Sequence, residues 1–172
     1  MTTQRDPIEE AHHQWVRHGW GEAADGMAMV TSLVRVNQLL QERIDTVLRP
    51  LGLTFARYEI LQLLAFSSRG AMPMTRVGSL LQVHPTSVTS AVDRLVRQGH
   101  VERVRSTTDG RVVLASLTDS GRKVVAEATT GLNAAVFQTP GIAPDKVHQL
   151  TDLLADLRAE AGDHVGRSIA TR

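Results

Sequence analysis

The side chains best equipped for chemistry lie in one run, Pro85-Thr86-Ser87-Val88-Thr89-Ser90, followed by Arg94 and Arg97. Hydroxyls donate to phosphate oxygens or base edges, threonine methyls fit thymine methyls, and guanidinium groups pair with phosphate or guanine. Such a set recognises an anionic polymer; it does not make or break bonds. Periodicity predicts a helix with Val88, Val92, Leu95 and Val96 facing inward. Thr86, Ser87, Ser90 and Arg94 then share the opposite face, with Thr89, Asp93 and Arg97 at its margins. Pro85 suits the first helical position, where a missing N–H costs nothing, and Gly99 suits the stop. Alone, a hydroxyl-rich helix start is an ordinary cap on a solvated helix; its neighbours decide between the two.

Upstream, residues 74–81 read as a short helix with Val77, Leu80 and Leu81 inward and Thr75 on its polar side. Downstream, two β-prone runs, Val101 to Arg105 and Arg111 to Ser116, flank Thr107-Thr108-Asp109-Gly110. Asp-Gly is a strong hairpin signal, because Gly takes a positive φ at little cost. Arg105 and Arg111 project from this hairpin, and an arginine at its tip suits the concentrated negative potential of a narrow minor groove. Asp109, two residues from Arg111, is placed to orient that guanidinium. Helix, turn, helix, hairpin is the order of a winged helix that reads duplex DNA. The DNA-contact candidates are Thr75, Pro85, Thr86, Ser87, Thr89, Ser90, Arg94, Arg97, Arg105, Asp109 and Arg111.

The elements that must position these residues are mostly helical. Met29, Leu33, Val36, Leu40, Ile44 and Val47 recur at helical steps through residues 22–49, and Pro50 and Gly52 end the run. That helix is roughly 40 Å long, more than a small reading head needs. Thr54 is a good N-cap for a helix from Phe55 to Phe66. Thr118 caps another, running to about Phe137, and Thr139-Pro140-Gly141 breaks it. Pro144 opens a last helix with a narrow seam of Val147, Leu150, Leu153, Leu154 and Leu157. Residues 1–21 form a polar extension with a short helix from Ile8 to His18. The expected fold is mainly α with a small β wing. A winged helix-turn-helix spans 54–117, and helices from 22–50 and 118–165 join two copies.

The totals agree. The 172 residues carry a net charge of +1, with 42% apolar, 22% charged and 3% aromatic residues, which predicts an aliphatic core and excludes a polybasic protein. Charge is nevertheless segregated. Arg94, Arg97, Arg103, Arg105 and Arg111 stand against Glu102 and Asp109. In the last helix, Asp145, Asp152, Asp156, Glu160 and Asp163 stand against Lys146 and Arg158. The basic end suits phosphates. With no cysteine, disulfides, thiol sensing and cysteine-held zinc are excluded. No apolar run is long enough to span a membrane, and the polar N-terminus does not read as a signal peptide, so the cytoplasm is the expected compartment. His12, His13 and His18 lack the i, i+4 spacing of a metal pair and read as a solvated face, so neither a metal nor a cofactor is expected. No nucleophile elbow, phosphate loop or dinucleotide fingerprint marks an enzyme. A winged helix used only for protein binding is the alternative, but it has no need of phosphate-facing arginines.

The segment HPTSVTSAVDRLVRQGHVER, the wing pattern Asp109-Gly110-Arg111 and LTDSGR at 117–122 together resemble the MarR family of bacterial transcriptional regulators, over about Met27 to Leu157. Many members carry two arginines after the wing aspartate; here Gly110 replaces the first. The resemblance implies an obligate homodimer on double-stranded DNA with a pseudo-palindromic operator, and repression relieved by a small aromatic or amphipathic ligand. Candidate ligand residues are Trp20, Met29, Arg57, Tyr58 and Phe66, with Phe55 and Arg35 as further choices. For Phe55, Tyr58 and Phe66 core packing is the stronger reading. The Trp-bearing N-terminal helix also resembles the urate-responsive branch of the family, through Trp20 and Arg103. Glu59 and Ala91 depart from that branch's Asp and Arg, and the loss of an anion partner argues against urate.

Overall fold

The computed structural model describes residues 5–81, 84–107 and 109–163, Pro85 by its backbone alone. Helices α1 (Pro7–Arg17), α2 (Gly21–Leu48) and α3 (Phe55–Phe66) come first. Strand β1 (Ala71–Pro73) precedes α4 (Met74–Leu81) and α5 (Pro85–Arg97). Strands β2 (Val101–Arg105) and β3 (Val113–Leu117) follow, then α6 (Asp119–Leu132) and α7 (Pro144–Glu160). The result is the expected mainly helical winged helix with a small sheet. Backbone contacts divide it into two compact units, one up to Thr130 and one from Gly131 onward.

Punctuation residues set the ends of the helices. Asp6 caps α1, its carboxylate accepting the Ile8 N–H at 3.0 Å. A 3-10 turn, Arg49–Leu51, closes α2 and is stopped by Gly52 at φ 68°, a left-handed position where a side chain would be strained. Gly99, at φ 75°, plays the same part after α5.

The three strands form an antiparallel sheet in the order β1-β3-β2. Met72 pairs with Ala115, and Arg103 pairs with Ala115 from the other side. Strand β1 is absent from the sequence expectation: a three-residue strand ending in proline carries no local signal and exists because β3 offers it an edge. The core of the first unit lies where α3 and α5 meet this sheet, around fully buried Ile60, Leu61, Leu64, Val77, Val92, Leu95 and Val101.

Two inward assignments are corrected. Leu80 is half exposed, and Val96 is exposed on α5. Each is adjacent in sequence to a residue that fits the helical period, and the packed stripes are only wide enough for Val77 on α4 and for Val88, Val92 and Leu95 on α5. Among the described residues, no helix is long and apolar enough to cross a membrane.

Candidate nucleic-acid interface

Helix α5 has the predicted limits. His84 is its N-cap, the imidazole Nδ1 accepting the Thr86 N–H at 3.3 Å. Burial of Val88, Val92 and Leu95 anchors one face, so Thr86, Ser87, Thr89, Ser90, Arg94 and Arg97 are all exposed on the rest. Thr75 is exposed near the start of α4. Thr86, Ser87, Ser90, Ala91, Arg94 and Arg97 line one open concavity, completed by Thr54 and Arg57 from the start of α3. None of the described lining residues is acidic.

Arg57 enters this face from a distant part of the chain. Its Nε donates to the Thr54 hydroxyl at 3.2 Å, and its Nη1 donates to Gln98 Oε1 at 3.0 Å. The other end of the Gln98 amide donates to the Gly52 carbonyl at 2.9 Å. Thr54 precedes α3 as expected, but its side chain caps no N–H; its hydroxyl accepts from Arg57 instead. Partial burial, and then the like charge of Arg94, lower the pKa of Arg57 from its ordinary value. Sequence reasoning gave no DNA role to Arg57 and none at all to Gln98. They lie 41 positions apart, and nothing local signals their bond.

The wing differs from expectation at its tip. Gly110 does not take a positive φ. Instead the Asp109 carbonyl accepts the Val112 N–H at 3.0 Å, and its carboxylate accepts the Arg111 N–H at 3.0 Å. Aspartate at the first position of a turn makes this side-chain bond readily. The Asp109 N–H in turn donates to the Ser106 hydroxyl at 3.3 Å. Asp109 therefore orders the backbone beneath Arg111 rather than its guanidinium. Arg111 belongs to the turn, so β3 starts at Val113, two residues later than predicted. Arg105 and Arg111 are both exposed. Arg103 reaches back from β2 to Asp93 of α5 at 2.8 Å. Both partners are well exposed, so this bridge contributes little stability; it sets the wing against the helix.

The 117–122 segment frames the wing. The Thr118 hydroxyl accepts the Gly121 N–H at 3.0 Å, capping α6 as expected, and donates to the Gly99 carbonyl at 2.7 Å. A Cβ at Gly121 would land on the His100 carbonyl oxygen. The Arg122 guanidinium lies over Gly70, itself left-handed at φ 64°. One short segment thus ties the end of α5, the sheet and α6 together.

The ligand candidates lie in different surroundings. Tyr58 is buried, its hydroxyl 3.3 Å from Thr129 Oγ1. Phe66 is 77% exposed at the end of α3. Trp20 stacks on His18 and meets Trp15 edge-on. Met29 is half exposed on α2, and Arg57 faces the α5 concavity. Phe55 stacks on Tyr58. Burial raises the Glu59 carboxyl above its ordinary pKa. His12 pairs with Asp25 at 2.8 Å, and among the described residues no group of three or more His, Cys, Asp or Glu side chains is placed to hold a metal ion.

A capped helix that lines an acid-free concavity with hydroxyls and guanidinium groups, beside a basic β-hairpin wing, defines a winged-helix nucleic-acid-binding protein. Comparison with known proteins makes this more particular. The family model "MarR family" matches residues 51–112. MarR of Escherichia coli is 32% identical over 123 residues, 69% of this chain and 83% of that protein. A mutant of it complexed with operator DNA superposes with a TM-score of 0.69 at 25% identity, over 78% of this chain and 96% of that one. Sco5413, a MarR family transcriptional regulator from Streptomyces coelicolor, gives a TM-score of 0.71 and 44% identity over 81% of this chain and 99% of its own. CouR from Rhodococcus jostii, bound to p-coumaroyl-CoA, gives 0.65 and 25% over 75% and 90%. Against some other curated regulators the alignment spans only 54% to 67% of their length. The chain belongs to the MarR family of transcriptional regulators.

Proposed function

We propose that this chain is a dimeric, ligand-responsive repressor that binds a pseudo-palindromic duplex operator in the cytoplasm. Helix α5 enters the major groove, where Thr86, Ser87, Thr89 and Ser90 meet bases and phosphates and Arg94 and Arg97 grip the flanks. Arg111, with Arg105 behind it, reaches the adjacent minor groove. Thr75 and the backbone at Pro85 approach phosphate at the start of α4 and α5. Residues 54–117 are the reading head, and 22–50 with 118–165 hold two copies together. The observation that carries this reading is the acid-free concavity lined by α5, a helix to which the wing is tied through Asp93 and Arg103.

Release by a small aromatic or amphipathic molecule follows the ligand-bound state of CouR. The scatter of Trp20, Met29, Tyr58 and Phe66 argues that these side chains do not form one pocket within a single chain. The test is selection of bound duplexes from a random pool, repeated in the presence of aromatic acids and their thioesters. A two-fold consensus with half-sites about 10 bp apart is expected. Recovery of no consensus, or of one asymmetric half-site, overturns the reading.

A further inference from the structure

We propose that Arg57, at the start of α3, is a phosphate anchor of this protein, aimed at the DNA backbone by Gln98. The inference rests on the DNA-reading assignment above and extends it to a part of the chain outside the recognition helix and the wing. The geometry is that of a guanidinium fixed in advance. Its Nε is held by Thr54 and its Nη1 by Gln98, and Gln98 is itself held by the Gly52 carbonyl. These bonds use the Nε donor and one Nη1 donor, on different sides of the fork, and leave the remaining N–H groups, both Nη2 donors among them, to donate elsewhere.

Arg57 shares an open concavity with Arg94, Arg97, Thr86, Ser87 and Ser90, with no carboxylate among the described lining residues. A structural tether between α3 and α5 would be satisfied by the neutral Gln98 alone. Bringing a third cation beside Arg94 and Arg97 opposes folding: partial burial first, and the like charge of Arg94 second, lower the pKa of Arg57. The arrangement becomes favourable when an anion occupies the concavity, and a phosphate diester is the anion that a helix docked in the major groove brings there. Because Arg57 is restrained before binding, little side-chain entropy remains to be lost.

The experiment uses the full chain and a duplex recovered from the random pool. Its affinity is measured by fluorescence anisotropy across a potassium chloride series. Arg57→Ala should weaken binding about tenfold and reduce the slope of log K against log salt by about 0.9, the value of one phosphate contact. Arg57→Lys keeps the charge but not the two restraining bonds, so it should retain the slope while losing affinity. Gln98→Ala should weaken binding several-fold, and the double variant Arg57→Ala with Gln98→Ala should be no weaker than Arg57→Ala alone. Unchanged circular dichroism melts separate these effects from unfolding. Should Arg57→Ala fail to fold, the slope retained by Arg57→Lys and lost by Arg57→Gln decides the question. A wild-type slope in Arg57→Ala, or strictly additive losses in the double variant, overturns the anchor. If the wild type itself shows no salt-dependent duplex binding, the DNA-reading assignment fails instead.

Discussion

On the reading proposed above, single side chains on this surface divide between those that read sequence and those that hold phosphate, and the two kinds answer different measurements. Arg111 stands on a turn whose backbone is ordered by Asp109, and its side chain is exposed. Arg111→Ala should weaken binding to all duplexes and reduce the salt slope by about one contact; an unchanged slope removes Arg111 from the interface. Ser90, exposed on α5, is uncharged and so adds nothing to counterion release. Ser90→Ala should alter the selected consensus while leaving the slope intact, and an unaltered consensus argues that Ser90 faces no base. Gly121 acts at the same scale but on the frame. Its missing Cβ makes room for the His100 carbonyl, a backbone atom that cannot swing aside. Gly121→Ala should cost about 1–3 kcal/mol, the usual range for an overpacked site, read as a lower urea midpoint. Equal midpoints would show that α6 shifts freely. The role of this glycine was invisible in the sequence, where LTDSGR appeared only as a family pattern.

At the level of elements, what could be read from the chain depended on whether the cause was local. The limits of α5 follow from Pro85 and Gly99 and were legible, because caps and breakers act on the adjacent turn; the start of α3 was legible at Thr54 although that side chain makes no capping bond. Strand β1 was not, since its three residues gain their hydrogen bonds from β3, more than forty positions away. The start of β3 was misplaced for a related reason: Asp109 draws Arg111 into the turn by a side-chain bond that a propensity reading does not contain. Within the site, the residues of α5 were legible as one face, whereas the approach of Arg57 and Gln98 depended on tertiary packing. The junction of α5 with the sheet also gives a pH prediction. Burial lowers the pKa of His100, whose Nδ1 lies 3.1 Å from the Ser120 hydroxyl. The folded protein therefore keeps this imidazole neutral to lower pH than the unfolded chain does. Its contribution to stability is complete above the ordinary value of 6.5 and is lost as pH falls below it. Urea midpoints should drop more steeply between neutral pH and about pH 5 in the wild type than in His100→Gln. Parallel curves would show that His100 is equally solvated in both states.

For the whole molecule, the decisive observation is apolar surface that one chain leaves bare. Helix α7 has no buried residue, and Leu150, Leu153, Leu154 and Leu157 form a stripe at helical spacing that is 37–65% exposed. On α2, Met29, Val30, Val34, Val36 and Leu39 are 42–54% exposed. Scattered exposed apolar residues are ordinary, but a continuous stripe on α7 together with a run of bare apolar side chains on α2 is the mark of an interface. Removing a half-exposed leucine or valine from water contributes about 1 kcal/mol, so rows of this length can offset the cost of association. A closed two-fold dimer buries the same rows on both copies and leaves none to drive further growth. Light scattering of the wild type should give about twice the chain mass of 18.8 kDa, and Leu153→Arg, which places a charge in the middle of the α7 row, should shift it toward the monomer. The same variant connects assembly to function. With two reading heads joined, the second half-site is engaged at a high effective concentration; with one head, each half-site binds alone. Leu153→Arg should therefore lose at least about a hundredfold in operator affinity while binding an isolated half-site as the wild type does. A variant that becomes monomeric yet keeps full operator affinity would place the avidity of this regulator somewhere other than in its paired heads.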